Sequence, residues 1–370
     1  MKQRIRTVTN YPLRQRPAAA ARTVLSRTLS SIGLRHPWVF QQSNPSSPDV
    51  LDKFRLFAIL GVWMEQDVIE ATVRNAFAQG CERVFIVDNN SPDGTVETAI
   101  SAGAEVADSF ATTRHDEQRR IELMNEAVWR ISTADGADHV WWLWLDADEF
   151  PHGPRGLTIR DYLSTLDRSF RIVGARFFNH YPSVEPHYVP GFHPLDFQPL
   201  CEELSFGTCR HWHRKHPLQR FDRGHPRIDS AIGIHGAHCD QRPLLEPTEA
   251  IFEHHFPFRE RNTTVRRMQS LFAPDDAGTR RVDPDEPNRG HMTMRARSLE
   301  AVYAQEWENV PIDLVWGCRR PHLEPLPWED LVDPEHLPVR RWYRESEVER
   351  VAQDRLERTY APASAAFKPT

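Results

Sequence analysis

Trp142-Leu143-Trp144-Leu145-Asp146-Ala147-Asp148-Glu149-Phe150 runs from an apolar segment into three carboxylates within four residues. Carboxylates crowded in this way repel one another unless a cation sits among them. Mg2+ or Mn2+ takes oxygens from one or two carboxylates and completes its shell with substrate phosphates, so the chemistry on offer is a metal and diphosphate site. An exposed acidic turn after a strand is the plain alternative. A second acidic stretch, VFIVDNNSPDGT, lies about sixty residues upstream, where Asp88 closes an apolar run and Asp93 sits among residues that favour turns.

The elements that must position these residues follow a regular alternation. FRLFAIL, from residue 54, reads as a buried strand. Asp67 and Glu70 form a cap-like helix start, Ile69, Val73, Ala76 and Phe77 share a face, and Gly80 supplies the stop. RVFIVD is a strand ending at Asp88, TVETAISAG a short helix and AEVAD a third strand. A helix over 114–133 carries Ile121, Met124, Val128 and Ile131 on one stripe, and HVWWLWLD is a strand ending at Asp146. The order βαβαβαβ implies right-handed crossovers and an α/β fold with a mostly parallel sheet flanked by helices. Ligands bind such sheets beyond the carboxyl ends of the strands. Topology therefore brings Asp88 and Asp146 to one rim.

With both acidic segments in this setting, the chain resembles family 2 glycosyltransferases of the GT-A (Rossmann-like) fold. The stretches that carry the resemblance are VWMEQDVIEATVRNAFAQGCERVFIVDNNSPDGT, WWLWLDADEF and EHHFPFRERNTTVRRM, spanning about residues 54–270. Met64 stands where that branch has Lys or Arg, and Arg261 where Ser is common. The resemblance implies that Asp88 contacts the nucleotide base of a nucleotide-sugar donor, that Asp93 shapes its pocket and that Asp146 reaches the ribose. It also implies that the DxD pair Asp146 and Asp148 serves a Mn2+ or Mg2+ ion on the donor diphosphate, that Arg119 and Asn125 lie on the helix beside the nucleotide, and that transfer inverts the anomeric carbon. Single displacement needs one base to take the acceptor hydroxyl's proton, and Asp229 and Asp240 are the candidates in the acceptor half. Glu149 is read as orienting Asp148 or the adjacent backbone. The acceptor is a glycan, a lipid-linked sugar or another hydroxyl compound.

Eleven of the eighteen histidines fall between His180 and His255, in a Pro-rich and weakly patterned region. Most read as packed or hydrogen-bonded side chains. One completing the metal's coordination is the other reading, with His255 first, from the EHHFPF segment, and His238 next. The cluster His211, His213, His216, His235, His238 and Cys239 also leaves open a zinc-stabilised binding module, although no finger spacing is present. A DxD after an apolar strand suits a metal-dependent phosphotransferase or phosphatase as well, but Glu149 and Phe150 replace the Thr or Val expected there.

Composition sets the frame. The chain has 370 residues, of which 39% are hydrophobic and eleven are Trp, too apolar for disorder, and its longest apolar run, Leu56 to Met64, is too short to span a bilayer. Residues 1–40 hold eight Lys or Arg and no acid, so the rest is more acidic than the net −6 indicates. That argues against a nucleic-acid footprint and leaves the arm free to touch an anionic membrane surface. Five scattered Cys favour reduced thiols and a cytoplasmic setting. The expected organisation is a basic disordered arm over 1–50, a GT-A domain over 51–272 with a His- and Pro-rich acceptor half, a polar linker over 273–293 and a helical extension over 294–370.

Overall fold

A computed structural model describes residues 40–43, 45–112, 116–182, 198, 200–203, 215–239, 244–274, 299–304 and 306. The first half runs β1 (Phe40–Ser43), β2 (Arg55–Val62), α1 (Ile69–Ala78), β3 (Arg83–Asp88), α2 (Thr95–Ser101), β4 (Glu105–Ser109), α3 (Glu117–Asp135) and β5 (His139–Asp146). The second half is built of shorter pieces: β6 (Glu149–His152), α4 (Ile159–Leu163), β7 (Ile172–Val173), β8 (Ala175–Tyr181), β9 (Leu200–Glu203), β10 (Leu218–Asp222), β11 (Asp229–Ser230), β12 (Ala237–His238), β13 (Leu244–Pro247), β14 (Ile251–His255) and α5 (Arg261–Phe272).

The central sheet has the order β4-β3-β2-β5-β10-β7. Its first four strands are parallel, and β10 runs antiparallel between β5 and β7. Leu56, Ala58 and Leu60 face Ile69, Val73 and Ala76 of α1, while Phe57, Ile59, Trp142 and Trp144 face Ile121, Met124 and Val128 of α3. Burial on both faces is why these strands read as continuous apolar runs. The expected mixed α/β sheet is present, and its register sets Asp88 opposite Val62 and Asp146 opposite Gly61, with β2 between them.

Two details differ from the sequence reading. Helix α1 has Val68 at its N-cap and no side-chain cap, and Asp67 instead pairs with Arg259 at 3.0 Å. The stretch read as a wholly disordered arm contains β1, which pairs in parallel with β13, and Val50, which bridges Asp167. Of the helix read near 294–308, residues 299–304 are described as helical.

A second sheet, β6-β14-β8-β9, abuts the first. β5 ends at Asp146 and β6 starts at Glu149, so Ala147 and Asp148 alone carry the chain from one sheet to the other. Helix α1 grips this joint through the Thr72 hydroxyl, which donates to the Ala147 carbonyl. The two faces of the second sheet differ in chemistry. One holds His152, Phe178, His180, Phe252, His254 and Phe256 in stacked contacts. The other holds Glu149, Phe177, Asn179, Glu253 and His255 and looks toward the joint.

Candidate functional site

Asp148 is held where the two sheets meet. Its carbonyl accepts the Phe256 N–H at 2.9 Å, and the β6–β14 register places His255 opposite Glu149. His255 Nε2 then lies 3.7 Å from Asp148 Oδ1. The other ring nitrogen, Nδ1, donates to Asn179 Oδ1 at 2.6 Å, which fixes the imidazole plane and turns Nε2 toward the carboxylate. Burial alone would push the Asp148 carboxyl up, but the charges of His255, Arg259 and Arg267 outweigh it and hold the group below its ordinary range. Asp148 is therefore an anion at neutral pH.

Neighbouring positions on an octahedral cation with ligands about 2.1 Å away lie about 3.0 Å apart, so the carboxylate oxygen and the imidazole nitrogen, 3.7 Å apart, would draw together by about 0.7 Å to share one ion. The mixed donor set suits Mn2+ better than Mg2+, which prefers oxygen. Among the described residues no group of three or more His, Cys, Asp or Glu is arranged to hold a metal. A cation here would thus draw the rest of its shell from water and from the oxygens of a bound substrate. The zinc-module reading finds no ligand set among the described residues either. His216 is engaged with Glu246 at 3.1 Å, and His211 and His213 lie outside the described residues.

Asp146, although only two residues away, meets different partners. Its Oδ1 accepts from Arg120 Nη1 at 2.6 Å and its Oδ2 lies 3.4 Å from Lys215 Nζ. Burial would raise its pKa, but these two cations overcome that and hold it well below the usual carboxylate range. Arg120 is itself clamped by both oxygens of Glu117, at 2.9 and 2.6 Å. Gly61 permits this approach, since a Cβ there would fall 2.6 Å from Arg120 Nη1. The structure thus divides the DxD pair, with Asp146 set among the protein's own cations and Asp148 set against His255.

Behind them, Lys215 is buried against Glu149, with Glu253 in the same apolar surroundings and the Phe177 ring 5.0 Å from Nζ. Burial raises the pKa of both glutamic acids, since one ammonium stands against two buried carboxylates. Glu149 Oε2 accepts the Asp146 N–H at 3.1 Å, which ties the start of the acidic turn to its end.

On the other side of β2, Asp88 is buried and accepts from the Ser91 hydroxyl at 2.6 Å. Asp93 accepts from the Thr95 N–H at 3.2 Å and from its hydroxyl at 2.5 Å, and that hydroxyl receives the Glu65 N–H at 2.8 Å. The remaining candidates among the described residues pair elsewhere. Arg119 is exposed and faces Glu122, and its neighbour Arg120 is the residue that reaches the rim. Asn125 is buried but spends its amide on Ser230, donating to the carbonyl at 2.9 Å and accepting the N–H at 2.7 Å. Asp229 pairs with Arg227 and sits opposite the exposed His238 on the small β11–β12 ribbon. Asp240 lies outside the described residues. Arg120 and Lys215 have no part in the sequence reading, while Glu253, Arg259 and Arg267 lie within the EHHFPFRERNTTVRRM stretch without being singled out there.

No helix among the described residues is long and apolar enough to cross a membrane. No family model matches the chain, and no curated protein matches it. Partial similarity is found with solved structures. Glucosyl-3-phosphoglycerate synthase from Mycobacterium tuberculosis in complex with Mn2+, UDP and glucosyl-3-phosphoglycerate is 18% identical, over 38% of this chain and 52% of that one, with a TM-score of 0.24. The same enzyme with Mg2+ and UDP gives 17% identity over 38% and 50%, with a TM-score of 0.25. A structure described as a mycobacterial protein gives 20% identity over 34% and 41%, with a TM-score of 0.24. The chain spans about half or less of the length of these structures.

Proposed function

We propose that the chain is a glycosyltransferase that moves a sugar from a nucleoside-diphosphate donor to an acceptor hydroxyl with inversion, in a reaction dependent on a divalent cation. The observation that carries this reading is the shared rim. Asp88, Asp146 and Asp148 stand at the carboxyl ends of parallel strands, where an α/β sheet takes its ligands, and His255 arrives from a second sheet to face Asp148. A nucleotide base at Asp88, its ribose toward Asp146 and a diphosphate at Asp148 follow the rim in order. Asp93 supports this pocket indirectly, by fixing Thr95 and through it the backbone of Glu65.

Asp148 and His255 would hold Mn2+ or Mg2+, which in this chemistry offsets the charge that grows on the departing diphosphate. Asn179 orients His255, Arg120 and Lys215 keep Asp146 ionised, and the buried Glu149 fixes the turn between them. Asp229 and Asp240 are proposed as acceptor-side bases, with Asp229→Asn the direct check on the first. The domain limits 51–272, the linker and any contact of the basic arm with a membrane are proposed on the sequence alone.

The experiment is a thermal-shift or calorimetric screen of UDP-, GDP-, dTDP- and CMP-sugars, with and without Mn2+. One donor should stabilise the protein only when the cation is present. Absence of any cation-dependent donor binding across the panel would remove the reading, and rapid phosphate release from an aryl phosphate would replace it with a phosphatase.

A further inference from the structure

Arg259 follows His255 by four residues, in the loop between β14 and α5, and is fixed in every direction but one. Its N–H donates to Thr264 Oγ1 at 2.9 Å and its carbonyl accepts the Tyr303 hydroxyl at 2.6 Å. Its side chain is 1% exposed, and Nη1 meets Glu65 Oε2 at 2.7 Å and Asp67 Oδ1 at 3.0 Å. The two other nitrogens, Nε and Nη2, are buried with no hydrogen-bond partner among the described residues. Arg267, on α5, repeats the arrangement: its Nη2 pairs with the second oxygen of Glu65, and its Nε is buried and unmet. Two guanidinium groups thus share one carboxylate and leave three nitrogens without acceptors among the described residues.

Buried donors left unmade are costly, more so when they are charged, and native structures keep them where something else supplies the acceptor. Arg259 follows directly on the strand end that meets Asp148, where His255 Nε2 lies 3.7 Å from its carboxylate and the Phe256 N–H donates to its carbonyl at 2.9 Å. A guanidinium presents its N–H groups as a planar fork, and the ligand shape that meets such a fork with several oxygens is a phosphate. Glu65 and Asp67 already pair with one edge of the two guanidinium groups, and what the remaining buried nitrogens want among the described residues is hydrogen-bond acceptors.

We propose that Arg259, assisted by Arg267, binds a phosphate-type oxyanion beside Asp148. This rests on the glycosyltransferase reading for the oxyanion's identity, the donor's diphosphate. In the transfer, the bond between the anomeric carbon and the β-phosphate oxygen breaks with its electron pair left on that oxygen. The acceptor oxygen bonds to the same carbon and gives its proton to the base. The fork at Arg259 meets the oxygens that gather charge. A phosphate carried by the acceptor would present the same oxygens to the same fork.

Calorimetry with inorganic pyrophosphate and with inorganic phosphate, each with and without Mn2+, tests the proposal in wild type, Arg259→Gln, Arg259→Lys and Arg267→Gln. Wild type should bind pyrophosphate with Mn2+. Arg259→Gln should weaken that binding at least tenfold, Arg259→Lys should recover only part, and Arg267→Gln, at a side chain 12% exposed, should weaken it less. Tighter binding of phosphate, indifferent to Mn2+ but still lost in Arg259→Gln, keeps the oxyanion site and moves its source to the acceptor. Wild type that binds neither probe, or an Arg259→Gln protein that melts as wild type and binds both within twofold, overturns the proposal. If Arg259→Gln does not fold, unchanged affinity in Arg267→Gln and Arg259→Lys overturns it. Pyrophosphate binding without any nucleotide-sugar binding would leave the oxyanion site standing and remove the glycosyltransferase reading.

Discussion

Lys215→Met keeps the length of the side chain and its contact with the Phe177 ring but removes the ammonium from between Glu149 and Asp146. Removing one partner of a buried ion pair costs about 3–5 kcal/mol, because the other is left buried and uncompensated. The size should depend on pH in a defined direction. Burial works against the wild-type ammonium, but Glu149 and Asp146 outweigh it and raise its pKa. Its contribution is therefore fully present below the unfolded lysine value of about 10.4 and constant from pH 5 to 9. In the variant, Glu149 and Glu253, already raised by burial, rise further. Groups with raised folded pKa values weaken the native state at high pH and recover it as pH falls toward about 4.3, at roughly 1.4 kcal/mol per pH unit for each proton taken up. Denaturant unfolding of both proteins at pH 5, 7 and 9 should show the deficit near its full size at pH 9 and shrinking by at least about 1.4 kcal/mol by pH 5. A deficit below about 1 kcal/mol, or one that is the same at all three pH values, would refute the account of this cluster.

Gly61→Ala should leave the protein folded, since the added Cβ meets the flexible end of Arg120 at 2.6 Å, but should push that guanidinium off Asp146; donor affinity should fall at least tenfold in calorimetry while the melting temperature moves by only a few degrees. Asp148→Asn and EDTA treatment should each abolish cation-dependent donor binding, and excess Mn2+ should rescue the second but not the first. Removal of residues 1–50 should lower the melting temperature by at least about 2–4 °C, because it takes away β1 and the Val50–Asp167 bridge; an unchanged melt would place both outside the cooperative unit. Burial lowers the pKa values of His152 and His180 to about 4, below the unfolded value near 6.5, so each should contribute its full stability above pH 6.5 and lose it toward pH 4 by up to about 1.4 kcal/mol per pH unit; a His152→Gln variant whose stability difference from wild type is the same at pH 7 and pH 5 would contradict it.

The first half of the fold was legible because β2, β3 and β5 are buried on both faces, so apolar runs such as RLFAILGV and HVWWLWLD announce themselves. The second sheet was not. Its strands β8 and β14 pair in parallel across some seventy residues, and the face bearing Glu149, Glu253 and His255 reads as polar although it is buried. Asp88, Asp146 and Asp148 stand out because a carboxylate ending an apolar strand is conspicuous. Arg119 and Arg120 could not be separated by pattern, since adjacent helical residues differ by about 100° and only the fold decides which points at the rim. The signal for Lys215 lay in composition: it is one of four lysines in a chain that otherwise uses arginine, and an ammonium is the more compact charge to place between carboxylates.

The two-residue joint at Ala147 and Asp148 limits how this protein can vary. Because side chains along a strand alternate, one inserted or deleted residue there would rotate every later residue of β6 to the opposite face. Glu149 would be delivered into the stack of His152, His254 and Phe252, and Phe150 would land on Lys215. Neither placement is tolerable, so the joint admits substitution but no change of length. Loops elsewhere carry no such constraint, while the distance from Asp146 to Glu149 stays fixed like the tooth spacing of a gear.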